Sequence, residues 1–237
     1  MNESLVKRSH ARKVVMTPHM NPYALGSVIV EFGNTKVHVT ASLEESVPPF
    51  LKGSGKGWVT AEYSMLPSAT HTRSKREKNG PSGRTQEIQR LIGRTLRSAC
   101  DMSLLGERSL TIDCDVLVAD GGTRTASISG GYVALHLAIE KLLKEKKITQ
   151  NPLKYFVAAV SVGINAQGEI LADLNYEEDS SSHTDMNIVM TEKGDFVEIQ
   201  GCAEGTPFSK LQMQNLLSCA EKALKDIFIE QHRVLEC

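Results

Sequence analysis

The chain has 237 residues, of which 41% are hydrophobic and 23% charged, and this is enough apolar material for a well-buried core. The formal net charge of -1 indicates no particular partner, and no run approaches the roughly 18 apolar residues of a membrane span. The five cysteines form no CxxC pair, which argues against a zinc site and against a disulfide framework. Because free thiols suit a reducing compartment and no N-terminal signal pattern is present, we expect a soluble cytoplasmic protein that does not associate with membranes.

The first half of the chain predicts a hairpin, a short strand, an exposed loop and a helix, in that order. Two β-rich runs flank a Gly-Asn turn signal over residues 26–45, and a further strand is predicted at 58–64. Residues 71–83 are polar, basic and rich in residues that interrupt regular structure, which indicates an exposed loop. Apolar side chains then recur at helical spacing and predict a helix over residues 86–100.

The second half of the chain continues with strands and helices in blocks. Alternating apolar residues predict a strand over 110–120, and the apolar pattern of 125–146 predicts a helix that ends in lysines. Four further strands are predicted at residues 155–164, 169–174, 186–191 and 196–201, and a final helix is predicted at residues 209–231. Because strict βαβ alternation is absent, we expect the α+β class, with helices packed on a mixed sheet. No linker or low-complexity segment interrupts the chain, so a single domain over residues 1–237 is expected.

Residues 120–127 read DGGTRTAS and join the end of a predicted strand to the start of a predicted helix. The glycines allow a tight turn, and the first amides of a helix lack internal partners and lie at the positive end of its dipole. Such a helix start binds anions, phosphate above all, and Thr123 and Arg124 add a hydroxyl and a guanidinium donor. The alternative is a glycine turn with a threonine or serine cap and a solvated arginine. The Walker spacing is missing, so this is no P-loop.

Residues 71–97 are strongly basic, with eight lysines and arginines against two acids. Arg84 precedes the predicted helix, and Arg90, Arg94 and Arg97 recur along one of its faces. Three arginines on one stripe repel each other unless anions or acidic groups face them. The stripe therefore faces either a phosphate backbone or acidic groups of this chain or of another subunit, and both interpretations stay open.

Residues 169–198 carry nine acids and one lysine. Asp179 and Asp185 bracket a short polar turn between predicted strands, and two carboxylates across a turn can share one Mg²⁺. Such an ion can polarise a phosphoryl oxygen and stabilise a leaving oxygen. His183 lies between the two acids and is expected to be solvated. The alternative is that both acids are ordinary surface residues of a turn.

Six segments of the chain, taken together and in order, resemble the bacterial ribonuclease PH family. They are GSVIVEFGNTKV, GWVTAEYSMLP, GRTQEIQRLIGRTLR, DCDVLVADGGTRTASISG, EEDSSSHTDMNIVMT and GCAEGTPFS, and the match spans about residues 26–209. That family is similar to the catalytic domains of polynucleotide phosphorylase and to exosome ring subunits. The resemblance implies the ribosomal protein S5 domain 2-like fold, which is an α+β fold.

The resemblance also implies an activity. Members of the family are phosphate-dependent 3′→5′ exoribonucleases, or tRNA nucleotidyltransferases, in which inorganic phosphate attacks the 3′-terminal phosphodiester of RNA and releases a nucleoside 5′-diphosphate. The reaction is reversible, and the main substrates are tRNA precursors. The implied co-substrate is phosphate, the implied cofactor is Mg²⁺ or Mn²⁺, and the implied assembly is a homohexamer built as a trimer of dimers.

The motifs of the family fall on particular residues of this chain. Phosphate binding is implied for Arg84, Gly122, Thr123 and Arg124, and the catalytic and metal-binding acidic pair falls on Asp179 and Asp185. RNA binding is expected of the basic loop and the arginine stripe, that is of Arg73, Arg76, Arg90, Arg94 and Arg97. The proton for the leaving oxygen could come from either acid or from a metal-bound water.

The chain departs from the family pattern in places that concern RNA binding more than chemistry. The N-terminal 15 residues match the arginine-rich opening only loosely, Ser68 stands where an arginine is common, and the basic loop is shortened before Arg84. Two other functions stay open: a non-catalytic ring subunit that binds RNA, and a metal-dependent nuclease that uses Asp179 and Asp185 to activate water. The products separate the three functions, since phosphorolysis gives diphosphates, hydrolysis gives monophosphates and the ring subunit gives neither.

Overall fold

The computed structural model describes residues 6–78, 80–204 and 206–236. Within these ranges the chain folds into ten β-strands and five α-helices. The strands are β1 (Val6–Arg8), β2 (Val14–Pro18), β3 (Gly26–Phe32), β4 (Thr35–Glu44), β5 (Trp58–Met65), β6 (Ser109–Val118), β7 (Val157–Ile164), β8 (Ile170–Ala172), β9 (Thr184–Thr191) and β10 (Phe196–Ala203). The helices are α1 (Gly83–Ser98), α2 (Met102–Leu105), α3 (Thr123–Lys144), α4 (Tyr176–Ser181) and α5 (Lys210–Leu235).

The strands form two mixed sheets of five strands each. In the first, with the order β2-β3-β4-β6-β5, the pairs are antiparallel except for β5 with β6. In the second, with the order β1-β8-β7-β9-β10, only β1 and β8 are parallel. The predicted α+β class with packed helices is confirmed, although two mixed sheets stand where the sequence analysis expected one.

The hairpin predicted over residues 26–45 is confirmed as β3 and β4. Alternate residues of both strands, among them Val28, Val30, Val37 and Val39, are fully buried, so the period of two in the sequence is also the pattern of burial. By contrast, the sequence predicts no element in the segment that forms β1 and β2. β1 has three residues and β2 has five, which is too short for an alternating pattern to stand out.

Helix α3 lies between the two sheets and is buried along most of its 22 residues. It packs on β3 and β4 of the first sheet and on β7 of the second, so apolar side chains are needed on more than one of its faces. Where β3 crosses it there is no room for a side chain, because a Cβ at Gly26 would lie 2.2 Å from the carbonyl oxygen of Ala134. This backbone contact fixes α3 against the sheet, and with it the first residue of the helix, Thr123.

The polar turn predicted between Asp179 and Asp185 is partly helical, because residues 176–181 form the short helix α4. Its start is a capping box: the Asn175 side chain accepts from the Glu178 amide at 2.8 Å, and the Glu178 carboxylate accepts from the Asn175 amide at 3.0 Å. No apolar run follows this cap, so the usual sequence sign of a helix start was missing. Asp179 therefore lies on a helix, and Asp185 lies on β9.

The two other long helices, α1 and α5, both pack against α3. α1 packs on β5, and α5 packs on β7 and β2. In the described ranges no helix combines the length and the hydropathy that crossing a membrane would take. The four cysteines of those ranges are free thiols. The expectation of one domain over residues 1–237 stays a prediction.

Candidate active site

One cleft collects the residues that the sequence analysis singled out for phosphate and acid roles. It has a volume of about 480 Å³ and is lined by the first turns of α1 and α3, by α4, by β9 and by the end of β10. Its lining includes Arg84, Gly122, Thr123, Arg124, Asp179 and Asp185. The cleft thus joins helix starts that pack on the first sheet to strands of the second.

Helix α3 begins in this cleft without a side-chain cap. Its N-cap is Gly122, whose φ of 68° lies in the left-handed region, so the threonine or serine cap considered above is not found. Gly121 has a φ of 73° and its Cβ would lie 2.2 Å from the carbonyl oxygen of Leu174, so only glycine fits there. The Ala126 amide donates to the Gly122 carbonyl at 2.9 Å. The amides before it have no partner in the helix and are available to an anion.

Thr123 and Arg124 are both held by neighbours in the chain. The Thr123 hydroxyl lies 2.9 Å from the Tyr63 hydroxyl, and either oxygen can be the donor. Tyr63 is buried, and burial raises the pKa of its hydroxyl, so the tyrosine stays neutral at neutral pH. The Arg124 Nη2 lies 3.4 Å from a carboxylate oxygen of Glu87 on α1. Both donors are therefore oriented before a ligand arrives.

Helix α1 begins in the same cleft, but its start is capped. The Ser82 hydroxyl accepts from the Thr85 amide at 3.2 Å. Glu77, in the preceding loop, accepts from the Ser82 amide at 3.2 Å and from the Thr85 hydroxyl at 2.9 Å. The contribution of α1 to the cleft is therefore the guanidinium of Arg84 rather than the Thr85 amide.

Asp179 and Asp185 face the cleft from α4 and β9. Burial raises the pKa of both carboxyl groups, and the charge of Asp185 raises the pKa of Asp179 further. Glu204 also lines the cleft and raises the pKa of Asp185, whereas Arg124 lowers the pKa of both aspartates. The cleft therefore has walls of opposite charge. The cationic wall comprises Arg84, Gly122, Thr123 and Arg124, and the acidic wall comprises Asp179, Asp185 and Glu204.

The acidic wall fits a hard divalent cation. Its donors are carboxylate oxygens, which Mg²⁺ and Mn²⁺ accept, and the charges of Asp185 and Glu204 each raise the pKa of a neighbouring aspartate of the wall. In the described ranges, no three His, Cys, Asp or Glu side chains come close enough to hold a metal between them. Two carboxylates with water or substrate oxygens as the remaining ligands are the usual set for Mg²⁺. His183 is exposed, as expected, and does not line the cleft.

Several residues of the cleft were missed by sequence reasoning. Glu204 completes the acidic wall, and Tyr63 orients Thr123. Both lie in segments that carry the family resemblance, GCAEGTPFS and GWVTAEYSMLP. The resemblance therefore marked these segments, but it did not indicate what Glu204 and Tyr63 do. Three polar side chains that also line the cleft were not singled out either, namely Ser161, Ser180 and Asn187.

The arginine stripe of α1 is divided by its surroundings. Arg94 donates through Nε to the Glu198 carboxylate at 2.6 Å, as the alternative of an acidic neighbour anticipated. The Arg97 guanidinium lies 4.2 Å from the centre of the Trp58 ring, and burial lowers its pKa. Arg90 is exposed. RNA binding by the stripe stays a prediction. Of the three arginines, Arg90 is the most available to RNA, because Arg94 and Arg97 contact other residues of the chain.

The basic loop is exposed, as predicted. Arg73 and Arg76 lie in it and point away from the core, since both are exposed along with the residues around them in 71–78 and 80–83. Asn79 lies outside the described residues. The carbonyl oxygen of Pro67 accepts from the Ser74 amide at 2.9 Å, which ties the loop to the end of β5. RNA binding by this loop also stays a prediction.

Comparisons with known proteins agree with these features. Residues 10–139 match the 3′ exoribonuclease family, domain 1, and residues 155–223 match domain 2 of the same family. Ribonuclease PH of Bdellovibrio bacteriovorus is 55% identical over 224 residues, which amount to 94% of this chain and 92% of that protein.

Solved structures with the same fold come from exosomes and related proteins. Rice (Oryza sativa) Rrp46 superposes with a TM-score of 0.76 at 17% identity, over 99% of this chain and 100% of that one. An Archaeoglobus fulgidus exosome with RNA bound to the active site gives a TM-score of 0.74 at 21% identity, over 96% of this chain and 89% of that one. At these identities the likeness concerns the fold alone.

Proposed function

Because this chain belongs to the 3′ exoribonuclease family, we propose that its cleft binds inorganic phosphate on the cationic wall and the 3′ end of RNA beside the acidic wall. The chain is a phosphorolytic 3′ exoribonuclease that acts as a tRNA nucleotidyltransferase. Phosphate attacks the terminal phosphodiester, and a nucleoside 5′-diphosphate leaves. One observation carries the assignment of residues: side chains from α1, α3, α4 and β9 meet in a single cleft with opposed charges.

The cationic wall offsets the charge repulsion that makes this reaction slow. Phosphate is a poor nucleophile toward a phosphodiester, because both reactants are anions. The guanidinium groups of Arg84 and Arg124 and the free amides after Gly122 offset that repulsion. When the Tyr63 hydroxyl donates to Thr123, the Thr123 hydroxyl keeps its own proton for the phosphate, so the attacking oxygen is aligned as well as bound.

The acidic wall serves the leaving group. Desolvation in the cleft raises the pKa of Asp179 and of Asp185, which is the direction that a proton donor needs, and one of these carboxyl groups gives the proton to the departing 3′ oxygen. The same two residues would hold Mg²⁺ or Mn²⁺. When bound, such an ion supplies charge that neutralises the non-bridging oxygens of the scissile phosphate.

RNA beyond the cleft is held by basic side chains. Arg73 and Arg76 on the exposed loop and Arg90 on α1 suit a phosphate backbone, whereas Arg94 and Arg97 would first have to leave partners in the chain. tRNA precursors are the substrates that family membership supports. Family membership also supports a homohexamer built as a trimer of dimers and a cytoplasmic location.

The two rival functions account for the cleft less well. A non-catalytic ring subunit would have no need of both walls in one cleft. A hydrolytic nuclease could use Asp179 and Asp185, but the helix start at Gly122 and the guanidinium of Arg124 would then lack a purpose.

The products of a short RNA with a free 3′ end test the assignment. The RNA should shorten only when phosphate and a divalent cation are both present, with nucleoside diphosphates as the products. Chelation of the cation should stop the reaction. Equal shortening in phosphate-free buffer, with monophosphate products, would contradict the proposal.

A further inference from the structure

The N-terminal segment carries an arginine that the mechanism above leaves without a role. Arg12 donates to the carboxylate of Asp173 through its amide, its Nε and its Nη2, each at 2.9 Å. The Asp173 side chain is fully buried and that of Arg12 is 12% exposed. Asp173 follows β8 directly and precedes α4, the helix that bears Asp179. The pair therefore fixes the chain that leads into the acidic wall.

The same guanidinium also reaches the turn before α3. Its Nη1 donates to the Asp120 carbonyl at 2.7 Å, and its Nη2 lies 3.4 Å from the Gly121 carbonyl oxygen. The buried hydroxyl of Thr35 contacts the same turn: it accepts from the Asp120 amide at 2.9 Å and donates to the Gly121 carbonyl at 2.5 Å. Both carbonyl groups of the turn are thus bonded to side chains.

These bonds determine where the amides of the turn point. In a trans peptide the carbonyl and the following N–H point in opposite directions. The structure contains no cis peptide bond in its described ranges. Once the carbonyls of residues 120 and 121 are directed at Arg12 and Thr35, the amides of Gly121 and Gly122 are directed away from them. Both glycines line the cleft.

We propose that Arg12 and Asp173 are a positioning pair, which aims the amides of residues 121 and 122 at the bound phosphate and keeps that turn in register with α4. The inference rests on the proposed role of this turn in phosphate binding. Two further features favour positioning over plain stability. Asp173 has a φ of 53°, which is strained for a residue other than glycine, and a buried ion pair is a weak source of stability.

Arg8 provides a matched control from the same segment. It donates to both oxygens of the Glu178 carboxylate, at 2.9 and 2.6 Å, and to the carbonyls of Ala172 and Asp173 at 2.9 and 3.0 Å. Like Arg12, it binds one carboxylate and two carbonyls, although its side chain is more exposed, at 29% against 12%. Unlike Arg12, it makes no contact with residues 120–122.

The test compares Arg12→Lys with Arg8→Lys in the full-length enzyme. A lysine at position 12 keeps a cation beside Asp173 but cannot also hold the two carbonyls of the turn. We expect the KM for phosphate to rise by about tenfold or more in Arg12→Lys, since charge-assisted hydrogen bonds of the turn are lost. The affinity for a short RNA and the melting temperature should change no more than in Arg8→Lys, whose KM for phosphate should be unaltered.

An unchanged KM for phosphate in Arg12→Lys would overturn the inference, and so would an equal rise in Arg8→Lys, which would show general loosening. If Arg12→Lys does not fold, Thr35→Val tests the same turn from its other side and should raise the same KM. No rise in Thr35→Val would then count against the positioning pair. Arg124→Ala separates the two proposals: if it too leaves the KM for phosphate unaltered, the phosphate site itself is wrongly placed.

Discussion

The two walls of the cleft are built from different kinds of structure. The cationic wall lies on the starts of α1 and α3, helices of 16 and 22 residues, and α3 is buried between the sheets. The acidic wall lies on a helix of six residues, on β9 and just beyond β10, which is an edge strand. The cationic wall therefore rests on helices that the core holds in place, whereas the acidic wall lies on a short helix and at the edge of a sheet.

The walls also differ in their electrostatics. Free amides and guanidinium groups keep their charge or dipole at any physiological pH, so the cationic wall is constant. In the acidic wall, by contrast, desolvation raises the pKa of Asp179 and of Asp185. The contrast indicates separate tasks, binding of the nucleophile on one wall and proton or metal chemistry on the other. Substitutions should therefore divide into effects on phosphate binding and effects on turnover.

The largest effect is expected from the acidic wall. Asp185→Asn keeps the size of the side chain and removes the charge, so kcat should fall by on the order of 10³. RNA affinity should stay the same or improve, because a negative charge beside the substrate is lost. Single-turnover rates and fluorescence anisotropy measure the two quantities separately.

Asp195→Asn is the matched control for this variant, since Asp195 is exposed in the turn between β9 and β10 and does not line the cleft. Its kcat should equal that of the unmodified enzyme. If Asp185→Asn instead bound RNA poorly and reacted normally once saturated, the acid would be structural and the division between the walls would fail.

The next effect concerns the cationic wall. Arg124→Ala removes a charge-assisted donor of fixed direction, so kcat/KM for phosphate should fall by about 10². RNA affinity should change little, because the loss lies on the wall assigned to phosphate. Steady-state kinetics at varied phosphate measure the effect. Arg108→Ala, which breaks a surface pair with Glu45, serves as the control.

The smallest effect concerns RNA outside both walls. Replacing Arg73 and Arg76 by alanine should weaken processing of a tRNA precursor and flatten its salt dependence by about 0.7 log unit for each lost contact. Activity on a short oligonucleotide should barely change, because the cleft is intact. The control is the double alanine variant of Lys141 and Lys144, which removes two exposed charges at the far end of α3.

Gel filtration distinguishes RNA binding by the loop from a role in subunit assembly. A double variant of Arg73 and Arg76 that separates into smaller species, and that loses both activities together, would make the loop an assembly element. RNA binding by the loop would then be excluded, and only the difference between the two walls of the cleft would remain.

Much of the site could be predicted because its residues stand in local motifs. Residues 120–127 combine a strand end, two glycines and a helix start, and that local geometry is what binds an anion. Arg84 and the pair Asp179 and Asp185 were placed by family motifs in the same way. The structure brings all of them into one cleft, as the shared chemistry required.

The remainder could not be predicted because it depends on contacts between distant segments. Arg12 and Asp173 are 161 positions apart, and Arg94 and Glu198 are 104 apart. No local pattern announces such a pair, since a lone arginine in a polar segment looks the same whether it faces water or a buried carboxylate. The division of the strands into two sheets is of the same kind: pairing partners follow from tertiary packing, whereas alternation reveals only the strands.

The contact between β3 and α3 at Gly26 makes a position far from the cleft sensitive to substitution. Backbone meets backbone there, and an added methyl group would have to push the helix away from the sheet. A packed helix moves as a rigid rod, so its first turn would shift as well, although Ala134 at the crossing is roughly three turns from Thr123. We therefore expect Gly26→Ala to weaken phosphate binding in an activity screen. A residue far from the cleft can thus be as sensitive to substitution as a residue that lines it.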